Sequence, residues 1–389
     1  MIKNIQDIEI AINDFMSIKD NDDVVVVDMR NDVERSYGNI KNSIYLDSEK
    51  LKNDPPHDSN KNYIICCSRG KTSSEIAEKL RNKGFSNYYS LKGGYSSYVL
   101  YMIRNDKSSS STDELLNKVE KSIQTKFRTS FMSKFLKAIK VYELIKENDR
   151  IAVCISGGKD SFLMAMLFRE LKKWSKIKFD VEYISMDPGY NEVNRKLIEE
   201  NAKALDIPIK IFESDIFDIV YNEKKSPCYL CARMRRGHLY AYAKEISCNK
   251  IALAHHYDDV IETILMGMLY GGQMQSMLPK LKSTNFEGME LIRPLYLIRE
   301  DDIINWRDYN DLHFLQCACK FTDTCTTCNN NENASKRLEV KKIIKTLKEK
   351  NPYIESNIFR SAENAQVDTL LSYKIKGVKH SFLENYIVY

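Results

Sequence analysis

Two cysteines three positions apart, Cys228 and Cys231, stand in the segment "SPCYLCARMRRGHLY", directly before a cluster of arginines. Such a CxxC pair occurs in redox dithiols, in zinc sites and in iron–sulfur sites. Because zinc and iron–sulfur clusters need three or four ligands, this pair requires cysteines from elsewhere for either metal. The segment "LQCACKFTDTCTTC" supplies four more thiols, at Cys317, Cys319, Cys325 and Cys328. On spacing alone all three kinds of chemistry remain open.

Another reactive cysteine is indicated by the segment "CCSRGKTSS", where Cys67 ends a predicted strand just before a predicted helix. The letters "GKT" also end a Walker A motif, but that motif requires a glycine where this chain has Ile65. Backbone N–H groups at a helix N-terminus favour a thiolate or a persulfide. Cys67 is therefore the predicted nucleophile, whereas Cys66 faces the other side of the strand and is expected to be buried.

The segment "CISGGKDSF" follows a predicted strand and opens a predicted helix, which is the geometry of a phosphate-binding turn. Glycines let the backbone approach an anion, hydroxyls add donors, and the lysine can neutralise charge. Asp160 begins the helix and could hold magnesium. The predicted nucleotide-binding residues of this turn are Ser156, Gly157, Gly158, Lys159, Asp160 and Ser161.

Acidic residues follow a later predicted strand, in "ALAHHYDDVIETIL". His255 ends the strand, and Asp258 and Asp259 start the next helix, at the sheet edge where α/β domains bind nucleotides. The spacing lacks the i, i+4 histidine pair of a helical zinc site, so magnesium binding or substrate activation is the predicted role of the aspartates. His255 and Asp187, the last residue of "FDVEYISMD", are further predicted nucleotide-binding residues.

The elements that position these residues fall into two predicted α/β domains. Residues 1–105 alternate buried strands such as "DVVVVDMR" and "NYIICCS" with an amphipathic helix, "SSEIAEKLRNKGF", which indicates a small parallel sheet covered by helices. The Ser-rich stretch "NDKSSSSTDE" predicts a linker, and residues 106–125 are expected to form that linker and the start of a connecting helix. Such a tether holds two domains at an effective concentration on the order of millimolar.

Residues 126–389 predict a larger domain with a doubly wound parallel sheet, followed from about residue 300 by a helical region that carries the late cysteines. Its strands are expected at "DRIAVCIS", "FDVEYISMD", "IPIKIFES" and "NKIALAHH". The apolar residues of the preceding helix recur at helical spacing and should face the core. They are Phe127, Phe131, Phe135, Ile139, Tyr142 and Ile145.

Composition narrows the class of protein further. The 389 residues contain no apolar run of the roughly 20 residues that a membrane span needs. The start "MIKNIQDIEIAIND" carries acids where a signal peptide would be apolar, so a cytoplasmic protein without membrane partners is expected. In that compartment the ten cysteines indicate metal or sulfur chemistry rather than disulfides. A net charge of +5 is modest and decides nothing by itself.

The first domain resembles a rhodanese over roughly residues 3–104. "VVVVDMRNDVERSYGNI" is similar to that family's Asp-x-Arg strand and glycine–x–Ile turn, "CSRGKTS" to its active-site loop, and "NYYSLKGGYSSY" to its Gly-Gly segment. One departure is Asn39, where the family usually has histidine. The resemblance implies sulfur transfer through Cys67. The alternative is an inactive rhodanese fold that serves as a docking module.

The second domain resembles the tRNA 2-thiocytidine synthetase family of PP-loop ATPases over about residues 115–345. The segment "SGGKDS" is similar to the pyrophosphate loop of that superfamily, and "PCYLCARMRRGHLYAYAKEISCNKIALAHHYDDVIET" and "IRPLYLIREDDI" are similar to other segments of the thiolation enzymes. The resemblance implies ATP and Mg²⁺ as cofactors. It also implies a [4Fe-4S] cluster held by three cysteines, with one iron left open to carry sulfide.

By position in the family, the cluster ligands are Cys228, Cys231 and Cys317. The chain departs from the family in the cysteines that follow, because C-x-C-x5-C-x2-C resembles a zinc knuckle. A separate Zn²⁺ site at Cys319, Cys325 and Cys328 is therefore one alternative, and replacement of Cys317 by Cys319 is another.

These resemblances predict an ATP-dependent tRNA sulfurtransferase that adenylates C2 of a cytidine and receives sulfur from its own rhodanese domain. The expected partners are tRNA and a cysteine desulfurase or another sulfur donor, and a homodimer is compatible with the sequence. Arg233 and Arg236, with Arg235 beside them, suit RNA phosphates, and Tyr240 would offer a stacking surface. The alternatives are thiolation of a tRNA uridine, thiolation of a small molecule, and a zinc-stabilised RNA-binding module without catalysis.

Overall fold

A computed structural model describes residues 7–35, 38–105, 112–190, 192–214, 227–314 and 333–386. The strands are β1 Glu9–Ile10, β2 Val24–Asp28, β3 Ile44–Tyr45, β4 Asn62–Cys66, β5 Tyr88–Leu91, β6 Arg150–Cys154, β7 Asp180–Asp187, β8 Ile209–Glu213, β9 Lys250–Ala252, β10 Lys280–Lys282, β11 Glu290–Ile292, β12 Ser372–Ile375 and β13 Val378–Ser381.

The α-helices are α1 Ile12–Ile18, α2 Asp32–Arg35, α3 Ser48–Asn53, α4 Lys71–Asn82, α5 Gly94–Asn105, α6 Thr112–Gln124, α7 Lys134–Val141, α8 Lys159–Trp174, α9 Glu192–Ala204, α10 Pro227–Glu245, α11 Tyr257–Gly271, α12 Glu300–Tyr309, α13 Asn333–Lys350 and α14 Ile354–Ser361. A π-helical turn, Thr129–Ser133, precedes α7, and 3₁₀ turns lie at Val367–Thr369 and Phe382–Asn385.

The described chain divides into two compact units, one within residues 1–257 and 279–330 and the other within residues 258–278 and 331–389. The first unit contains two α/β sheets. The second unit contains most of α11, the helices α13 and α14, which pack on each other, and an antiparallel hairpin of β12 and β13. No helix in the described part of the chain is both long enough and apolar enough to cross a membrane.

The N-terminal sheet has five strands in the order β1-β5-β4-β2-β3, and every pairing in it is parallel. Alternate residues of the central strands pack on opposite faces, as a strand period of two requires. Val26 and Ile64 join one buried cluster, whereas Val27 and Ile65 join another. The small helix-covered parallel sheet predicted from the first hundred residues is therefore confirmed.

The larger sheet has six strands in the order β10-β11-β9-β6-β7-β8, and only the edge strand β10 runs antiparallel to its neighbour. Along β6 and the residue after it, Ile151, Val153 and Ile155 pack into one core. Ala152 and Cys154 pack into the other. Helices thus cover both faces of the sheet, which confirms the predicted doubly wound parallel sheet.

The helical stripe before β6 is buried as expected, with Phe131 and Phe135 fully inaccessible to solvent. The hairpin at the end of the chain was not predicted. Each of its strands has only four residues, which is too short for a periodic pattern to be decisive.

Candidate functional site

The loop between β4 and α4 surrounds the sulfur of Cys67 with polar groups. The amides of Gly70 and Ser73 donate hydrogen bonds to Sγ, with donor–acceptor distances of 3.1 and 3.4 Å. The Ser73 hydroxyl lies 3.3 Å from the same sulfur and accepts a hydrogen bond from Ser90 at 2.8 Å. The Cys67 residue is only 7% exposed. Amide hydrogens directed at one sulfur stabilise negative charge on it, which is the property that a persulfide carrier needs.

The far side of the cysteine loop is held by the start of α5. The amide of Tyr95 donates to the Cys67 carbonyl at 2.9 Å, and the Ser96 hydroxyl donates to the Ser68 carbonyl at 3.0 Å. A Cβ added at Gly94 would lie 2.3 Å from the Cys67 carbonyl oxygen. A residue without a side chain is therefore required where α5 approaches the loop.

A buried ion pair packs against α5, the helix that holds this loop. Asp28 at the end of β2 and Arg30 are 1% and 2% exposed, and Oδ2 of Asp28 lies 2.7 Å from Nη2 of Arg30. Arg30 also donates to the Gly38 carbonyl at 2.9 Å and lies over the ring of Tyr95. The Asp-x-Arg pattern thus joins the strand end, the following turn and α5.

Cys66, the neighbour of Cys67, is fully buried, as the strand alternation predicted. Burial raises the pKa of the Cys66 thiol well above its usual range, and the nearby carboxylate of Asp28 raises it further. Cys66 therefore stays protonated, and Cys67 is the nucleophile candidate of the two.

The second chemical loop lies between β6 and α8. Gly157 has a backbone φ of 89°, in the left-handed region that favours glycine, and Gly158 precedes the first residue of α8. The Ser161 hydroxyl accepts from the Ser156 amide at 3.2 Å and donates to the Gly158 carbonyl at 2.8 Å. The carboxyl end of β6, a turn of two glycines and the N-terminus of α8 meet here. The free backbone N–H groups of such a turn can bind a phosphate group.

Lys159 in this loop is 1% exposed, and its ammonium group is held by two carboxylates. Its Nζ lies 3.1 Å from Oδ1 of Asp160 and 3.2 Å from Oε1 of Glu300, the first residue of α12. The expectation that Lys159 neutralises phosphate charge remains a prediction. In this structure its charge is already balanced by protein groups.

Asp187, at the carboxyl end of β7, is 4% exposed and closes the turn that follows. Its Oδ1 accepts from the amides of Gly189 and Tyr190 at 2.9 and 2.6 Å, and its Oδ2 lies 3.3 Å from Arg195. His255 follows β9 and is half-buried. Nucleotide binding by these two residues remains a prediction.

Asp258 and Asp259 begin α11, as predicted, and belong to the second compact unit. In that unit Asp259 pairs with Arg337 of α13, and Oδ1 of Asp259 lies 2.8 Å from Nη1 of Arg337. The buried Glu262 lies 3.3 Å from Arg337 and 3.6 Å from Lys341. Cations of α13 thus neutralise acids of α11, and magnesium binding by the aspartates remains a prediction.

Cys228 and Cys231 lie in the first five residues of α10, but their side chains fall outside the described part of the chain, as do Cys317, Cys319, Cys325 and Cys328. Arg233 and Arg236 of α10 are exposed. The expectation of a base stacked on Tyr240 is wrong, because that ring is 7% exposed and is stacked on Phe286.

Three residues of these sites were missed in the sequence. Ser73 contacts Cys67, Glu300 holds Lys159, and Arg337 pairs with Asp259. The acidic start of "EDDIINW" was a visible helix-start signal for Glu300. Nothing in the local sequence pairs Arg337 with an acid 78 positions away.

Comparison with known families agrees with this geometry. The PP-loop domain family matches residues 124–323, and the rhodanese-like domain family matches residues 12–100. The class of this protein is therefore a PP-loop ATPase joined to an N-terminal rhodanese-like domain.

Curated relatives narrow the class. The chain is 34% identical over 259 residues to a tRNA-cytidine(32) 2-sulfurtransferase from Geotalea uraniireducens, which covers 65% of this chain and 98% of the relative. It is 36% identical over 248 residues to a protein of the same name from Vibrio cholerae, covering 62% of this chain and 76% of the relative. The chain belongs to the tRNA-cytidine(32) 2-sulfurtransferase family and is a sulfurtransferase.

Among solved structures, the chain is similar to the U34-tRNA thiolase NcsA from Methanococcus maripaludis with its [4Fe-4S] cluster. The identity is 24%, the TM-score is 0.48, and the match covers 63% of this chain and 82% of the thiolase.

Proposed function

We propose that this protein is an ATP-dependent tRNA sulfurtransferase that replaces the C2 oxygen of a cytidine with sulfur, at position 32 as in the name of its relatives. The observation that carries the proposal is the presence of two loops in one compact unit. One loop directs amides at the sulfur of Cys67, and the other has the form of a phosphate site at Ser156–Ser161. A sulfur insertion that is driven by ATP uses both loops.

The phosphate loop supplies the activation step. A carbonyl oxygen is a poor leaving group, so transfer of AMP from ATP to O2 of the cytosine, with release of pyrophosphate, is needed before substitution. Sulfide then adds at C2, and AMP departs with the original oxygen. The helix N-terminus and Ser161 hold the phosphates, and Asp160 is the candidate to share Mg²⁺ with them.

The thiols of Cys228, Cys231 and Cys317 are the proposed ligands of a [4Fe-4S] cluster. Three thiolates would hold such a cluster and leave one iron without a protein ligand, which would supply a place to carry sulfide. Cys319 remains the alternative third ligand, and a separate zinc site remains open at Cys319, Cys325 and Cys328.

Cys67 is the proposed sulfur carrier. A desulfurase or another donor loads it as a persulfide, and the amides of Gly70 and Ser73, which donate to Cys67 Sγ, stabilise the thiolate that remains when the outer sulfur leaves. Delivery as sulfide regenerates the Cys67 thiol and consumes two electrons, which a thiol reductant supplies. The exposed Arg233 and Arg236 of α10 are the candidate contacts for tRNA phosphates.

The test is reconstitution under anaerobic conditions with unmodified tRNA, ATP, Mg²⁺ and sulfide, followed by mass analysis of the nucleosides. We expect 2-thiocytidine, no product without ATP, and at least about a 100-fold loss in Asp160→Ala. Detection of 2-thiouridine in place of 2-thiocytidine would show that the substrate base is a uridine. Full activity of Asp160→Ala would overturn the proposed role of the phosphate loop.

A further inference from the structure

The rhodanese-like domain and the PP-loop domain pack on each other within the first unit. Helix α5 of the former lies against α9 of the latter. Tyr98 and Val99 of α5 share one buried cluster with Leu197 and Ile198 of α9. At the edge of the contact, Nε of Arg104 lies 3.4 Å from Oε1 of Glu200. The two domains thus share a continuous apolar contact, and the Ser-rich linker stays a prediction because residues 106–111 lie outside the described part of the chain.

The packed helix α5 is also the helix that holds the sulfur loop. Its amides donate to the loop carbonyls, from Tyr95 to Cys67 at 2.9 Å and from Ser96 to Ser68 at 3.1 Å. The position of Cys67 therefore follows the position of α5, because two backbone hydrogen bonds and the close approach of Gly94 couple them.

Helix α9 contacts the segment that leads to the late cysteines. The side-chain amide of Asn201 donates through Nδ2 to the backbone carbonyl of His313 at 3.0 Å, four residues before Cys317. Asn201 is 3% exposed and also bonds the Leu197 carbonyl of its own helix. One helix thus contacts both the sulfur-carrying domain, through Leu197 and Ile198, and the approach to a proposed cluster ligand, through Asn201.

We propose that the α5–α9 contact is a docking surface through which each rhodanese-like domain delivers sulfur to the PP-loop domain of its own chain. This inference rests on the proposed function. A docked donor acts at a fixed geometry, whereas a donor on a flexible linker samples many geometries. Both arrangements favour transfer in cis, and a loss of transfer when the α5–α9 contact is weakened is the consequence that separates them.

A mixing experiment with full-length chains tests transfer in cis. Cys67→Ser keeps the phosphate loop and loses the carrier, while Asp160→Ala keeps the carrier and loses the phosphate loop. With a desulfurase as the sulfur source, we expect an equimolar mixture to thiolate tRNA at less than about a twentieth of the wild-type rate. Restoration to a quarter or more of that rate would show transfer between chains and overturn the proposal.

A charge reversal tests the surface itself. Glu200→Arg places a cation against Arg104 at an exposed edge, so the chain should fold but the contact should weaken. We expect faster hydrogen exchange in residues 94–105, about a threefold lower rate with the desulfurase, and an unchanged rate with free sulfide. Adding Arg104→Glu should restore both readouts.

Faster exchange in Glu200→Arg with an unchanged desulfurase-driven rate would overturn the docking role. A wild-type protein that fails to thiolate tRNA even with free sulfide would instead overturn the proposed function, so the two failures are distinguishable.

Discussion

At the residue scale, the adjacent cysteines Cys66 and Cys67 differ in their surroundings and therefore in their reactivity. Cys67 Sγ accepts hydrogen bonds from two backbone amides. The side chain of Cys66 points into the core, where its thiol donates to the Cys67 carbonyl with a sulfur–oxygen distance of 3.4 Å. Cys66 is the last residue of β4, and strand alternation places its side chain on a face that packs into the core. The chain turns into the loop at Cys67, so that side chain lies among the loop amides.

Replacement of Cys67 is the first prediction. In Cys67→Ser, thiolation driven by a desulfurase should fall at least about 100-fold, because a hydroxyl cannot carry a persulfide. Thiolation driven by free sulfide should persist. The matched control is Cys66→Ala, which should keep both rates, since burial raises the pKa of the Cys66 thiol and leaves it unreactive. A normal desulfurase-driven rate in Cys67→Ser would show that the rhodanese-like domain carries no sulfur and serves as a docking module.

The second residue-scale prediction concerns Glu300. Its carboxylate lies 3.2 Å from the buried ammonium of Lys159, so Glu300→Gln removes one of the charges that balance that lysine. We expect about a tenfold lower ATP-dependent thiolation rate and unchanged persulfide loading of Cys67. The control is Asp301→Asn, an exposed neighbour in the same helix turn. Equal ATP-dependent thiolation rates in the two variants would show that Glu300 has no role in the phosphate site.

At the element scale, the sulfur loop is formed where three elements meet. β4 delivers the cysteine, α4 directs its first amides at the sulfur, and α5 closes the loop through Gly94. Gly94 has φ of 58°, and an added Cβ would meet Cys67 O, Gly70 N and Arg69 N at 2.3, 2.5 and 2.7 Å. These are backbone atoms, which cannot move aside without moving the loop.

Gly94→Ala is therefore predicted to destabilise the protein by about 2 kcal/mol and to slow persulfide loading of Cys67 at least about tenfold. Gly84→Ala is the matched control. Gly84 also has positive φ, 98°, but an added Cβ there meets nothing within 4 Å. It should cost about 1 kcal/mol with no effect on loading. Thermal unfolding and mass spectrometry of the loaded protein measure both, and equal loading in the two variants would contradict the argument.

At the scale of the whole molecule, the two compact units divide the candidate residues. Cys67, the phosphate loop and Asp187 belong to the first unit, and Asp258 and Asp259 belong to the second. Within the second unit, α13 is held to α11 by Arg337 and Lys341. Asp259 and Glu262 of α11 therefore already have cationic partners before any substrate binds.

Metal content is the prediction at this scale. Protein purified without oxygen should contain about four iron and four labile sulfide per chain. Cys317→Ala should lose them, and Cys319→Ala should keep them; the reverse pattern would assign the third ligand to Cys319. Cys248→Ala, at a buried free thiol, is the control that keeps the iron. Stoichiometric zinc without labile sulfide in the wild-type protein would contradict the cluster.

The sequence alone determined the two α/β domains, the strand–loop–helix setting of Cys67 and of Ser156–Ser161, and the burial of Cys66. These features depend on local periodicity, glycine positions and helix starts, which neighbouring residues set. Tertiary structure decided the pairing of Lys159 with Glu300, 141 positions away, and of Asp259 with Arg337. It also decided the stacking of Tyr240 on Phe286 and the contact of α5 with α9. Such contacts follow from how elements pack, and no local pattern encodes which distant charge or ring fills a given position.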